Sequence, residues 1–157
     1  MPSRSAGLIP LRRNDCGELQ IFIAHMGGPF WARKDARAWT IIKGEFDPGE
    51  DEDDAQAVAR REFAEEVGVE APPAPWVDLG VVRQKSGKIV HAFAVRAPDV
   101  EFVGSNEVVL EWPRGSGRLI RFPEVDRAEW MPLLAARDRL VAGQVPLLDR
   151  LLTVDLD

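Results

Sequence analysis

The sequence predicts a single mixed α/β (α+β) domain over residues 1–157, and three observations predict it. Strand-like runs stand before, between and after helical ones, the pattern of a sheet that shares its core with helices. A chain of 157 residues is long enough for one sizeable core. No internal repeat and no long linker divides it.

The elements follow from local chemistry. "AGLIPLRR" (6–13) and "ELQIFIAH" (18–25) read as strands joined by the turn-forming "NDCG". "MGGPFWARKDAR" (26–37) is broken by Gly and Pro and reads as a long loop, followed by the β-rich "AWTIIK" (38–43). "GEFDPGE" (44–50) is turn chemistry. Residues 52–67 read as a helix that opens on acids, suited to the positive N-terminal end, and stops at Gly68. After the rigid "APPAP" (71–75) come strands at 76–84 and 88–96 joined by "KSG". Residues 98–121 hold a strand-like "EVVLEW" and a flexible "PRGSGR"; 127–133 reads as a short strand, and "LLAARDRLVAG" and "QVPLLDRLL" as terminal helices.

Composition narrows the function. Formal net charge is -6 and the sequence pI is about 5.0, which disfavours a broad electrostatic grip on nucleic acid or on an anionic membrane. No run reaches the length of a membrane span, and the N-terminal stretch shows no long apolar core of a secretory signal. Cys16 is the only cysteine, so no intrachain disulfide forms. A cytoplasmic location, a small-molecule partner and a monomer or homodimer are the expectations.

The informative stretch is "RREFAEEVG" (60–68). On a wheel of about 100° per residue, Ala55, Val58, Ala59, Phe63 and Val67 make an apolar arc, and Glu62 and Glu66 fall inside it with Glu65 at its edge. A solvated acidic face belongs opposite such an arc. Adjacent carboxylates on a half-buried face are costly unless a cation compensates them. Mg²⁺ does so with one or a few carboxylates and fills its other positions with water and phosphate.

"GEFDPGE…RREFAEEVGV" resembles the Nudix box, G-x5-E-x7-R-E-U-x-E-E-x-G-U with U a bulky aliphatic. Gly44 and Glu50 match its first half; Arg61, Glu62, Glu65, Glu66, Gly68 and Val69 match its second, with Phe63 at an aliphatic position. Ten residues separate Glu50 from Arg61 where the pattern has seven, read as a three-residue insertion in "DEDDAQAVA"; strict counting would put Asp53 at the glutamate position. The resemblance implies a mixed sheet sandwiched between helices and hydrolysis of a nucleoside diphosphate linked to another moiety. It implies that Glu62, Glu65, Glu66 and the Gly44 carbonyl hold Mg²⁺, with Mn²⁺ able to substitute, and that Glu50 pairs with Arg61. "FPEVDRAEW" resembles the late segment that carries a further catalytic glutamate and nominates Glu124, with Glu107 and Glu111 as other candidates.

"AGLIPLRR", "WTIIKGE" and "PGED" resemble the diadenosine polyphosphate hydrolase branch, although Ile42 stands where that branch often has proline and the chain has no tyrosine. ADP-ribose pyrophosphatases carry a proline near the position of Gln84, absent here. Arg33, Lys34 and Arg37 beside Phe30 and Trp31, together with Lys43, suit the phosphates and base of a nucleotide; a solvated surface loop is the alternative. His25, His91, Trp39, Trp76 and Trp130 read as packing residues. Dinucleoside polyphosphate hydrolysis is thus the leading expectation. A nucleoside triphosphate pyrophosphohydrolase and a non-hydrolytic nucleotide-binding module on the same fold are the alternatives.

Overall fold

Most of β1 (Arg4–Arg13) is buried without alternation, because both of its faces are covered. It pairs antiparallel with β2 (Leu19–Met26) as the first expected hairpin. The Asn14 carboxamide oxygen accepts from the N–H groups of Cys16 and Glu18 and shapes the turn. The computed structural model describes residues 3–154, so the domain limits drawn from the sequence run past the described residues at both ends.

β1 and β2 pair only where Leu11–Arg13 faces Leu19–Ile21. Beyond that they part, and the next segment fills the gap. β3 (Trp39–Thr40) pairs with β2, and β4 (Ile42–Glu45) pairs with β1. The run expected as one strand is therefore two, because it changes partner at Ile41. β5 (Val77–Arg83) and β6 (Ile89–Arg96) form the second expected hairpin, and β6 joins β1 in parallel. β9 (Val125–Pro132) closes on the other side of β2 and is longer than the strand read from sequence. The result is a mixed seven-stranded sheet.

α1 (Ala55–Val67) lies on one face, where Val58, Ala59 and Phe63 pack with Leu8, Phe22, Ile42 and Phe93. α2 (Leu133–Arg139) and α3 (Pro146–Leu151) cover the other, where Leu147, Leu148 and Leu151 pack with Ile9, Ile23, Trp39 and Ile41. This is the implied sandwich. Both terminal helices are shorter than the sequence suggests. The chain turns extended at Leu140, where Val141 N–H donates to the Trp39 carbonyl at 2.9 Å, and a 3-10 turn, Ala142–Gln144, precedes α3. The helix expected from residue 52 likewise opens with a 3-10 turn, Glu52–Asp54, before α1 begins.

β7 (Glu107–Glu111) and β8 (Leu119–Pro123) form a separate two-stranded hairpin. No helix among the described residues is long and apolar enough to cross a membrane.

Candidate active site

The sequence of α1, "AQAVARREFAEEV", is rich in strong helix formers. Phe63 is wholly buried and stabilises the docked helix by roughly 1.5–3 kcal/mol. Gly68 ends it in the left-handed conformation, φ 85°, with its N–H donating to the Ala64 carbonyl. A side chain at Gly68 would also strike the Gly104 carbonyl. That close approach lets Val103 and Gly104 donate to the Val67 carbonyl and Asn106 to the Glu65 carbonyl at 2.9 Å.

The glutamates sit as the wheel predicts. Glu66 is buried at 4% exposure, Glu62 is partly buried and Glu65 is exposed. Burial pushes the Glu66 carboxyl up to about 9, helped by its neighbours Glu124 and Glu62 and opposed by Lys43. Burial and Glu65 push Glu62 up to about 7 against the pull of Arg61. Glu62 lies against Gly44 of β4 so closely that a Cβ on that glycine would fall inside the carboxylate. This explains a glycine in the middle of a strand segment on grounds of space.

Glu50 and Arg61 pair bidentately, at 2.9 and 3.1 Å. The guanidinium beside Glu50, with the Asp47 N–H, holds that carboxyl below its usual range. The pairing survives the insertion, and it is Glu50 rather than Asp53 that meets Arg61. The extra residues form the 3-10 turn, where Asp51 and Asp54 cap each other. Glu52 of that turn accepts from Arg4 and lies 2.8 Å from His91 Nδ1, while His91 Nε2 lies 2.8 Å from Asp78. The insertion is thus stitched to β1 and β6, away from the glutamate row.

Glu124 stands between β8 and β9, and an Asn106 carboxamide hydrogen donates to it at 2.9 Å. Glu124 and Glu66 line a cleft of about 400 Å³ together with Lys43 and Lys88. Burial, with Lys88 nearby, pushes the Lys43 ammonium down, and Glu66, Glu45 and Glu124 oppose this. Apart from Thr40, the cleft's remaining walls are apolar and include Phe30, Trp31, Leu110, Trp112 and Phe122.

The basic loop divides. Lys34 holds its ammonium over the Phe30 ring, 3.5 Å from the centroid. Arg37 is committed elsewhere: its guanidinium donates to the carbonyls of Arg137 and Leu140 at 2.6 and 3.1 Å, capping the end of α2. Arg33 is exposed, and neither it nor Arg37 nor Lys34 lines the cleft. Glu107 lies 4.0 Å from Arg121, and Glu111 accepts from the N–H groups of Gly115 and Gly117 in the hairpin turn, so neither joins the carboxylate row. Sequence reasoning missed Lys88, at the start of the run read as a strand over 88–96, and Asn106, in a stretch of mixed periodicity. His25 is buried, with its ring nitrogens 2.8 Å from Asp126 and 2.6 Å from the Lys34 carbonyl, and it braces the loop as a packing residue.

Among the described residues no three His, Cys, Asp or Glu side chains converge tightly enough to ligate one ion as they stand. The donor set nevertheless suits a hard divalent cation: neighbouring carboxyls, Glu62 beside Glu65 and Glu66 beside Glu124, whose mutual repulsion joins burial in raising Glu62 and Glu66.

A mixed sheet between helices, with a carboxylate row on the helix that follows a glycine turn, defines a class of hydrolases acting on phosphorus-containing anhydrides. The NUDIX domain model matches residues 1–151, and the chain belongs to the NUDIX family. Solved structures agree in fold. An Ap4A hydrolase of C. elegans, solved as a binary complex, is 21% identical, with 95% of this chain and 94% of that one covered and a TM-score of 0.61. The NUDIX domain of NrtR from Shewanella oneidensis, complexed with ADP ribose, is 15% identical over 98% of this chain and 90% of that one, TM-score 0.60. A mutT/nudix family protein from Listeria innocua is 17% identical over 98% and 94%, TM-score 0.58. No curated protein matches the chain. Nudix hydrolases generally use divalent metal ions.

Proposed function

We propose that the chain catalyses Mg²⁺-dependent hydrolysis of a phosphoanhydride bond in a nucleoside diphosphate linked to another moiety, foremost a dinucleoside polyphosphate such as diadenosine tetraphosphate. The observation that carries this reading is the meeting of Glu66, Glu124, Lys43 and Lys88 at one cleft that also has aromatic walls. Glu62, Glu65, Glu66 and the Gly44 carbonyl would hold the cation, with Mn²⁺ able to replace Mg²⁺. When bound, the ion supplies charge neutralisation to the diphosphate.

The chain's own residues do the rest. Lys43 and Lys88 face the substrate phosphates. Water adds its oxygen to phosphorus, the bridging P–O bond breaks, and a carboxylate takes the water's proton. Glu124 suits that part, since Asn106 fixes its orientation. Arg61 and Glu50 tie the turn 44–50 to α1 and so keep Gly44 against Glu62.

A second reading, pyrophosphohydrolysis of a nucleoside triphosphate, is favoured by the cleft volume of about 400 Å³, which accommodates one nucleoside. Incubation of a nucleotide panel with Mg²⁺, followed by chromatography, separates the readings. Diadenosine tetraphosphate giving ATP and AMP supports the first; nucleoside triphosphates giving monophosphate and pyrophosphate support the second. Glu66→Gln should keep the fold and lose most turnover, because an amide supplies no charge to a hard cation. Near-normal Mg²⁺-dependent turnover in that variant would remove the assignment, and binding without hydrolysis by the parent would leave a nucleotide-binding module.

A further inference from the structure

His25 takes no part in the proposed chemistry, yet it is wholly buried and both of its ring nitrogens face oxygen. Nδ1 stands 2.8 Å from an Asp126 carboxylate oxygen, and Nε2 stands 2.6 Å from the Lys34 carbonyl. A carbonyl only accepts, and so does an ionised carboxylate. A neutral imidazole has one donor and one lone pair, so it would set that lone pair against an oxygen. An imidazolium donates from both nitrogens and satisfies the geometry. Burying such a charge is costly unless it is paired. β9 brings the partner through a β-bulge: His25 is opposite Arg127 and Met26 opposite Val125, which leaves Asp126 as the extra residue. A bulge re-aims a side chain, and here the Asp126 carboxylate reaches the ring.

The Lys34 carbonyl belongs to the loop that carries Pro29, Phe30 and Trp31 to the cleft. Both ends of that loop are anchored. Gly27 N–H donates to the Glu124 carbonyl at 2.9 Å, and a Cβ on Gly27 would collide with the Pro123 carbonyl. Gly28, at φ 92°, lies so near the Phe122 ring of the β7–β8 hairpin that a Cβ there would overlap it. At the far end Asp35 accepts from the Trp39 indole N–H and from Arg139 of α2. Among the described residues, the other hydrogen bonds of residues 29–34 are internal to the loop: Trp31 and Ala32 donate to the Gly28 carbonyl, and Lys34 to that of Trp31. His25 is therefore the hydrogen-bonded tie between this stretch and the sheet. The other charges near the ring are engaged: Arg127 lies 3.8 Å from Asp126 and over the Trp39 ring, and the Lys34 ammonium lies over Phe30.

We infer that His25 is a positioning residue of the cleft: an imidazolium, paired with Asp126, that fixes the Lys34 carbonyl and so sets where residues 29–31 stand. Its service to nucleotide binding rests on the reading above. Loss of one ring proton turns one of the two hydrogen bonds into a contact between lone pairs, and the brace opens. Asp126→Asn lifts that constraint. A carboxamide N–H donates to a bare Nδ1 while Nε2–H keeps Lys34, so a neutral ring then satisfies both partners. It is the charge at Asp126, rather than packing, that puts the second proton on the ring.

The brace is tested without substrate. The chain has two histidines, so ring ¹⁵N spectra are simple, and His25→Gln identifies the signals of His25. At about pH 7 both His25 ring nitrogens should be protonated in the parent, whereas Asp126→Asn should leave Nδ1 bare. In His25→Gln the amides of Trp31, Ala32 and Lys34 should exchange on the order of tenfold faster than in the parent while those of β1 and β6 stay protected; in Asp126→Asn the loop should stay protected. One bare ring nitrogen in the parent, two ring protons in Asp126→Asn, or a protected loop in His25→Gln would each overturn the inference. Should His25→Gln loosen the whole fold, the parent and Asp126→Asn spectra decide it alone. By calorimetry, AMP should bind His25→Gln about tenfold more weakly than the parent, because the loop must then be ordered on binding. Unchanged affinity beside a loosened loop would overturn the positioning role. A parent that binds no nucleotide yet shows the stated ring protons and loop exchange would remove the proposed function and leave the brace standing.

Discussion

Glu66 concentrates the chemistry of the site in one side chain. Its carboxyl is raised from 4.5 to about 9 in the folded chain, so between those values the folded state holds a proton that the unfolded state has released. Stability from this group is therefore complete below about pH 4.5 and is lost as pH rises through about 9. Glu62 acts in the same direction over the shorter interval up to about 7. In chelator, the melting temperature of the parent relative to Glu66→Gln should fall between pH 5 and pH 9, and Mg²⁺ should reduce the difference. Parallel melting curves for the two proteins across that range would show that burial of the carboxyl carries no such penalty. Gly44 depends on the same crowding: its place beside Glu62 is a matter of volume, and Gly44→Ala should displace that carboxylate.

At the scale of elements, the inserted 3-10 turn and the basic loop make opposite points. The turn Glu52–Asp54 carries acids that a sequence reading could assign to metal binding, yet its contacts are Arg4, His91 and its own capping box. Asp53→Ala and Asp54→Ala should leave Mn²⁺ affinity within about twofold of the parent, by titration, while loss of the Asp54 cap costs about 1 kcal/mol of stability. A large loss of affinity would return the turn to the metal site. Burial pushes the Glu52 carboxyl up, but the hydrogen bonds from His91 and Arg4 outweigh it and hold it low, which fits a latch. In the loop, Arg37 spends its guanidinium on the end of α2, whereas Lys43 faces the cleft. Arg37→Ala should lower the melting temperature and spare KM. Lys43→Ala should raise KM for nucleotides by about ten- to a hundredfold, the range of a charge-assisted contact of roughly 1.5–3 kcal/mol. The reverse pattern would exchange their roles.

For the whole molecule, the sheet brings together what the chain keeps apart. Glu66 arrives on α1, Lys43 on β4, Lys88 just before β6 and Glu124 between β8 and β9. The sequence by itself determined the parts whose physics is local. Hairpin turns are set by residues such as Asn14. The placement of Glu62 and Glu66 inside an apolar arc follows from helical periodicity alone. The Glu50–Arg61 pair was legible from the motif, although the insertion obscured the count. Only the tertiary structure decided that Lys88 lines the cleft and Asn106 reaches Glu124, that Arg37 turns to the end of α2, and that Trp112 and Phe122 share one cleft with Phe30 and Trp31. Each depends on which distant strands pair, where β1 and β2 part, and how closely Gly27 and Gly28 approach the hairpin. Periodicity fixes the face a residue occupies on its own element; it carries no information about which other element that face will meet.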